Sequence, residues 1–441
     1  MTKAKIYYAR VDDDWTKREK LGYLEKLEHI SNVEWQELTP DKKHTWLTEG
    51  LEDEFDTFVE IANKGIKANR KLETIFEVCS NGVKTNRDRW VYNFDSQQLI
   101  HNVRLHIETY NQEVARWQQV KDKNYNIDDF VLYDDLRISW SRDLKADLKR
   151  NRYAEFLERK VRLSTYRPFT FSYLFFDPIL NQDIFNNPII FPNIETEKEN
   201  QLIWFKVGSE VPTFALMANH ICDLLPQGGS QCFPFYTYDK DGNNRKENIT
   251  DWSLDQFQTQ YKDPKITKWD IFHYTYALLH HPHYRDRYAA NLKRELPRIP
   301  FAPEFHPFAK AGKRLTEIHI NYEQQPEYRL KHIENKDLPI DWRVKKMRLS
   351  KDKTQIKYND FLTLTGIPLE ALEYRLGNRS ALDWIIDQYQ VSTDKRSGII
   401  NDPNRLDDEE YIVRLIKQVI TVSLETVEIV KSLPDLGLPK D

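Results

Sequence analysis

Only three cysteines, three methionines and thirteen glycines occur in the 441 residues. Cys79, Cys222 and Cys232 are odd in number and widely spaced, which argues against a disulfide framework and against a cysteine-based zinc site. A reducing cytoplasm fits that usage. No stretch approaches the ~18 consecutive apolar residues of a membrane helix. Residues 1–8 lack the apolar core of a signal peptide. No Pro-Pro pair and no Gly-x-Gly occurs anywhere in the sequence. Gly312-Lys313 has neither the upstream glycine nor the following Ser/Thr of a phosphate-binding loop, which removes a motor function. An excess of positive charge is also missing. The net charge of −4 counts against a simple electrostatic clamp on a polyanion, although affinity depends on where the cations lie.

Aromatic residues make up 13% of the chain and charged residues 30%, and the mean hydropathy is −0.72, which describes a protein with a large polar surface. The length allows two or three domains, each with its own core. Cations concentrate in two places. Residues 145–167 hold eight basic side chains against three acids, and residues 343–351 hold five with none. Solvated faces account for most such runs, but both suit phosphate contacts.

Residues 4–11 read as a strand, Thr16 as the cap of a helix reaching about Ile30, and Val33 to Leu38 as a second strand. This strand–helix–strand opening is what the end of an α/β domain looks like. Leu99, Val103, Ile107, Tyr110, Val114 and Trp117 recur at helical spacing, which predicts a long amphipathic helix from Gln97 to Lys121. A second helix is predicted from Ser141 or Arg142 to Arg162. Residues 163–262 alternate short apolar runs with turn residues and read as β-rich. Helices follow at Trp269 to Leu279, Tyr284 to Leu296 and residues 408–432. His273, His280, His281 and His283 cluster about Pro282 with no cysteine nearby, which suits packing or solvent contact better than a metal site. Asp263-Pro264-Lys265 and Glu334-Asn335-Lys336 have an acid-x-Lys spacing that a chain this rich in charge produces by chance.

The segment Cys79 to Trp90 sets a lysine, two arginines, a threonine and two asparagines around Gly82. Such donors suit phosphate oxygens and base edges, and glycine allows a tight turn close to a ligand. Gly82-Val83-Lys84-Thr85-Asn86-Arg87-Asp88 resembles the motif that opens the target-recognition region of type ISP restriction-modification enzymes, which are single-polypeptide adenine-specific DNA methyltransferases. Four further segments resemble that family in the same order. They are Tyr166-Arg167-Pro168-Phe169, Gly228-Gly229-Ser230-Gln231, the run from His281 to Pro300, and Leu376-Gly377-Asn378-Arg379 with Asp394-Lys395-Arg396-Ser397-Gly398.

The resemblance implies an α+β chain in three parts. Residues 1–68 would be the tail of an α/β methyltransferase domain, 69–340 a β-rich target-recognition domain with long supporting helices, and 341–441 its helical C-terminal part. It implies sequence-specific contact with double-stranded DNA, in which the methyltransferase domain shares. The helicase-nuclease and methyltransferase domains would lie upstream or on a partner chain. The expected DNA-contacting residues are Gly82, Lys84, Thr85, Asn86, Arg87, Ser230, Gln231, Lys395 and Arg396. Gln231 has the bidentate amide that suits adenine. The cofactor loop and Asn-Pro-Pro-aromatic loop of methyl transfer have no counterpart here. S-adenosylmethionine is therefore expected only on a missing or partner domain, and neither a catalytic nor a metal residue is expected in this chain. The alternative reading makes the chain the C-terminal fragment of a complete methyltransferase or restriction enzyme whose catalytic domains are encoded upstream.

Overall fold

The computed structural model describes residues 4–12, 15–42, 44–63, 73–121 and 125–439, in two compact units, Met1–Glu52 and Asp53–Asp441. The boundary expected after residue 68 falls outside the described residues. In the first unit, strand Ile6–Tyr8 pairs antiparallel with Gln36–Leu38, Ile6 opposite Leu38. Helix Lys17–Leu27 starts at a capping box, in which Thr16 N–H donates to Glu19 at 2.7 Å and Thr16 Oγ1 receives Glu19 N–H. This helix buries none of its residues; Leu21, Leu24, Ile30, Trp35 and Trp46 are exposed.

In the second unit the predicted long helix spans Ser96–Gln118, with Asp95 accepting from Gln98 N–H at 2.7 Å as its N-cap. Leu99, Val103, Ile107, Tyr110, Val114 and Trp117 are all buried, each contributing about 1.5–3 kcal/mol if fully removed from water. The second expected helix is observed as Arg142–Lys149 and stops well before Arg162. Asn151 is left-handed (φ 55°), and the basic run continues as strand Val161–Arg167.

Two four-stranded sheets build the centre. In one, Ile221–Cys222, Val161–Arg167, Thr170–Phe175 and Tyr92–Asn93 lie side by side, with only the first pair parallel. In the other, Ser80–Asn81, Gly229–Pro234, Leu202–Val207 and Ala215–Ala218 are all antiparallel. The β-rich middle of the chain also contains helix Asp251–Tyr261.

Helices Lys268–Leu278 and Phe305–Ile320 cross so closely that a Cβ on Gly312 would overlap the His273 carbonyl. Helix Tyr411–Lys431 packs on the second of them, where His319 bridges Tyr276 Oη (2.5 Å) and Thr426 Oγ1 (2.9 Å). At the histidine joint, His280 Nδ1 meets the Tyr276 carbonyl and His281 Nε2 the Pro434 carbonyl. Pro282 opens helix Pro282–Arg287, where its missing N–H costs nothing.

The C-terminal part contains helices Ala381–Gln388 and Tyr411–Lys431, as well as a four-stranded antiparallel sheet. Its order is Lys331–Glu334, Leu362–Thr365, Gln355–Lys357, Arg348–Leu349, so backbone pairing crosses position 340. No helix among the described residues is long and apolar enough to cross a membrane.

Candidate functional site

Asp223 is the joint on which the motif segments converge, and sequence reading missed it. Val83 N–H donates to the Cys222 carbonyl at 2.8 Å and Leu224 N–H returns a bond to Val83 at 2.9 Å. Gly82 lies flat against this backbone, where a Cβ would overlap the Asp223 carbonyl oxygen. The glycine serves close packing of chain on chain. It does not have positive φ; the left-handed residue of the motif is Asn86 (φ 57°), and Asn86 is exposed. Ser230 Oγ and Trp204 Nε1 also donate to the Asp223 carbonyl, at 3.0 and 3.2 Å. The Asp223 carboxylate accepts from Arg167 at 2.8 Å. Burial raises this carboxyl to about 7, against the pull of Arg167.

Several residues expected at a DNA surface are instead buried and bonded within the chain. Arg87 is 4% exposed and donates to the Leu180 carbonyl, the Ser139 carbonyl (3.3 Å) and Ser141 Oγ (2.6 Å). Burial lowers its pKa to about 10. Thr85 is buried against Asp88, which also accepts from Tyr166 Oη at 3.0 Å. Ser230 is fully buried. Gln231 is 3% exposed in a strand flanked on both sides, and its amide donates to Asn81 Oδ1. Gly228 and Gly229 lead directly into this strand, which runs through the middle of a sheet. For these four side chains the structure corrects the expectation of an exposed contact: each holds the scaffold.

Lys84, Asn86, Lys395 and Arg396 are differently placed. Lys84 is half-buried; its backbone exchanges bonds with Asp183, and its ammonium has no partner among the described residues. Lys395 and Arg396 are exposed at the tip between strands Ser392–Thr393 and Ile400–Asn401. The fold brings this hairpin against the first motif. Arg89 Nη1 donates to Ser392 Oγ at 3.1 Å and its guanidinium lies 4.0 Å from Asp394. Asn93 Nδ2 donates to the Ile400 carbonyl at 3.1 Å, and Asn401 Oδ1 accepts from Phe94 N–H at 2.9 Å. Arg89, which is exposed, thus shares a surface region with the Lys395–Arg396 tip, and Asn86, also exposed, lies three residues before it in the chain. The Gly228 turn reaches the Gly377 segment separately, through Gln227 Nε2 to Asn378 Oδ1 at 2.6 Å.

The two basic runs also part company. In the first, Lys145 pairs with Asp128, Arg150 and Arg152 with Asp147, Lys160 with Asp177, Arg162 with Glu197 and Arg167 with Asp223. Those cations are engaged inside the chain. In the second, Lys345, Lys346, Arg348 and Lys351 are solvent-facing or partly so, with no ion pair among the described residues.

The family model for the Type ISP C-terminal specificity domain matches residues 74–416. Among solved structures, the chain is similar to a nuclease-deletion mutant of the Type ISP restriction-modification enzyme LlaGI in complex with a DNA substrate mimic. The two are 34% identical with a TM-score of 0.85, over 99% of this chain and 40% of that one. It is similar to DrdV in a DrdV–DNA complex at 34% identity and TM-score 0.86, over 98% of this chain and 44% of that one. It is similar to the ATP-dependent Type ISP enzyme LlaBIII bound to DNA at 28% identity and TM-score 0.83, over 99% and 28%. The chain therefore spans less than half the length of each. No curated protein matches it.

Proposed function

Because the chain belongs to the Type ISP C-terminal specificity domain family, we propose that it recognises duplex DNA as the specificity module of a restriction-modification system. The observation that carries this reading is the joining of Arg89, in the first motif, to the Lys395–Arg396 hairpin at one exposed polar surface, in a domain whose other motif segments meet at the buried Asp223. Phosphate contacts would fix register there while neighbouring polar groups meet base edges. Lys84, Asn86, Arg89, Lys395 and Arg396 are the residues that would touch DNA. Gly82, Thr85, Arg87, Ser230 and Gln231 would hold them in place.

Methyl transfer, translocation and cleavage would belong to domains upstream or on a partner chain, since the three similar structures are more than twice as long as the region matched. S-adenosylmethionine would bind there; this chain offers it neither a Gly-x-Gly turn nor an Asn-Pro-Pro loop. The exposed Leu21, Leu24, Trp35 and Trp46 suit a segment that completes a methyltransferase domain, because apolar patches of this kind mark partner sites. All three cysteines are free, which fits a cytoplasmic setting.

The test is competition binding of the purified chain over a randomised duplex library at several salt concentrations. A DNA reader enriches a defined sequence and loses affinity steeply as salt rises. Salt-insensitive binding, or enrichment of nothing, sinks the reading. The chain alone is expected to incorporate no labelled methyl groups into DNA, and incorporation would show a catalytic site within it.

A further inference from the structure

Resting on that reading, we infer that residues 343–357 form a second phosphate-holding surface, which grips the duplex backbone alongside the base pairs read at the motif surface. The segment is anchored from below. Val344 and Met347 are buried, while Lys345, Lys346 and Arg348 between and beside them are exposed. It is also tied to the hairpin that carries Lys395 and Arg396. Val391 N–H donates to the Lys345 carbonyl at 3.2 Å, one residue before Ser392. Arg343 pairs with Asp402 at 2.6 Å, and Asn404 bonds both the N–H and the carbonyl of Val344 at 2.8 Å. The basic strand therefore continues the surface formed by Arg89, Ser392 and the Lys395–Arg396 tip.

Its charge arrangement works against the isolated fold. In the register of the terminal sheet, Arg348 stands directly opposite Lys357. Like charges in facing positions destabilise a strand pair. Lys357 is relieved by Asp360 at 2.9 Å, but Arg348, Lys345 and Lys346 have no ion pair among the described residues. These side chains line a cavity of about 520 Å³, whose acids are Asp341 and Asp360. A row of unpaired cations in a concave surface is what a polyanion neutralises, releasing its own counterions. The competing explanation is that Arg348–Leu349 is the edge strand of its sheet, and edge strands carry cations to block pairing with other chains. That role needs no DNA.

The experiment compares the full chain with the variant K345Q/K346Q/R348Q on a fluorescent duplex of about 30 base pairs, long enough to present phosphates beyond any recognised site. The slope of log affinity against log salt should become shallower by roughly two to three in the variant, about 0.9 for each phosphate no longer neutralised. Sequence preference should stay as it was, because phosphate contacts carry no sequence information. The charge-preserving K345R/K346R should keep the original slope. A variant with unchanged slope, while the parent binds, overturns the second surface and leaves the DNA reading intact. A parent that binds no duplex overturns both. The pair K351Q/K353Q, on the turn of the same hairpin, gives an independent reading, with a slope reduced by roughly one to two expected and an unchanged slope counting against the surface.

Discussion

Arg89 and Ser392 stand 303 positions apart in the chain and are joined by a 3.1 Å hydrogen bond at the surface. That bond, with the Asn93 and Asn401 contacts beside it, fixes the C-terminal hairpin to the first motif. The proposed interface is therefore assembled from the two ends of the specificity domain. Replacing both Lys395 and Arg396 by Ala should weaken binding to every duplex about equally and make the salt slope shallower by roughly one for each phosphate left without its cation. Fluorescence anisotropy across salt concentrations measures this, and an unaltered slope removes the tip from the interface. Arg89→Ala should do the same and in addition raise hydrogen exchange in the 392–401 hairpin, which a pure phosphate contact would leave alone.

Arg87 and Lys84 are near neighbours in one motif with opposite expected phenotypes. Arg87 is buried with two carbonyls and a hydroxyl as acceptors, and its removal strands them. Arg87→Ala should cost on the order of 3 kcal/mol of stability, read as a lower denaturant midpoint. Lys84→Ala, at a half-buried side chain with no partner among the described residues, should stay within about 0.5 kcal/mol of the parent and weaken DNA binding uniformly. Equal stability losses in the two variants would contradict this division.

Gln231 was expected to reach a base edge and sits inside a sheet beside Asn81. Gln231→Ala should lower stability by about 1–2 kcal/mol, since Asn81 loses its donor, and leave the preferred duplex sequence unchanged. Relaxed preference at a single base-pair position in the library competition would return Gln231 to the reading surface.

What was legible in the sequence is mostly what is local. The Thr16 cap, the apolar stripe of Ser96–Gln118 and the C-terminal helix Tyr411–Lys431 depend on residues three or four apart, and the structure has them nearly where the spacing places them. The helix expected to reach Arg162 was not legible. Val161 and Arg162 become strand because Phe175 and Leu174 fold back on them across a hairpin, and the distant Ile221–Cys222 extends that sheet alongside Ser164 and Thr165. The same limit applies to the site. Donor-rich residues around Gly82 marked a candidate segment, but a buried arginine and an exposed one look alike until Leu180 and Ser141 are brought beside Arg87. Asp223 gave no signal at all, since its importance lies in carbonyl and carboxylate contacts to four separate segments.

Gly312 offers a test of the helical layer that is independent of DNA. Its Cα hydrogens lie against the His273 carbonyl, and any side chain there must separate helices Lys268–Leu278 and Phe305–Ile320. Gly312→Ala would gain about 1 kcal/mol in helix propensity. Overpacking costs of about 1–3 kcal/mol or more should outweigh it, so thermal unfolding should come earlier. A higher melting temperature would mean that the crossing is looser than the structure has it.

The last expectation concerns acid. Burial lowers His106 to about 3 and His220, His273 and His280 to about 4, so all four are neutral in the fold. An unfolded histidine titrates near ~6.5. Between roughly pH 4.5 and 6.5 the unfolded chain therefore binds up to four protons at these positions that the folded chain does not. Burial also raises Asp223 and Glu197 to about 7, so in the same window the fold holds two protons that the unfolded chain has released. Four against two leaves the unfolded state the larger proton binder, and stability should fall as pH drops from about 6.5 toward 4.5. His106→Gln isolates one contribution. Glutamine can still accept the Ser139 N–H bond that His106 Nε2 receives at 3.3 Å, but it cannot be protonated. Its stability should decline less steeply with acid, by about 1.4 kcal/mol per pH unit for the single proton removed. Denaturant unfolding of parent and variant at a series of pH values measures the two slopes, and identical slopes would show that His106 is not held neutral by its burial.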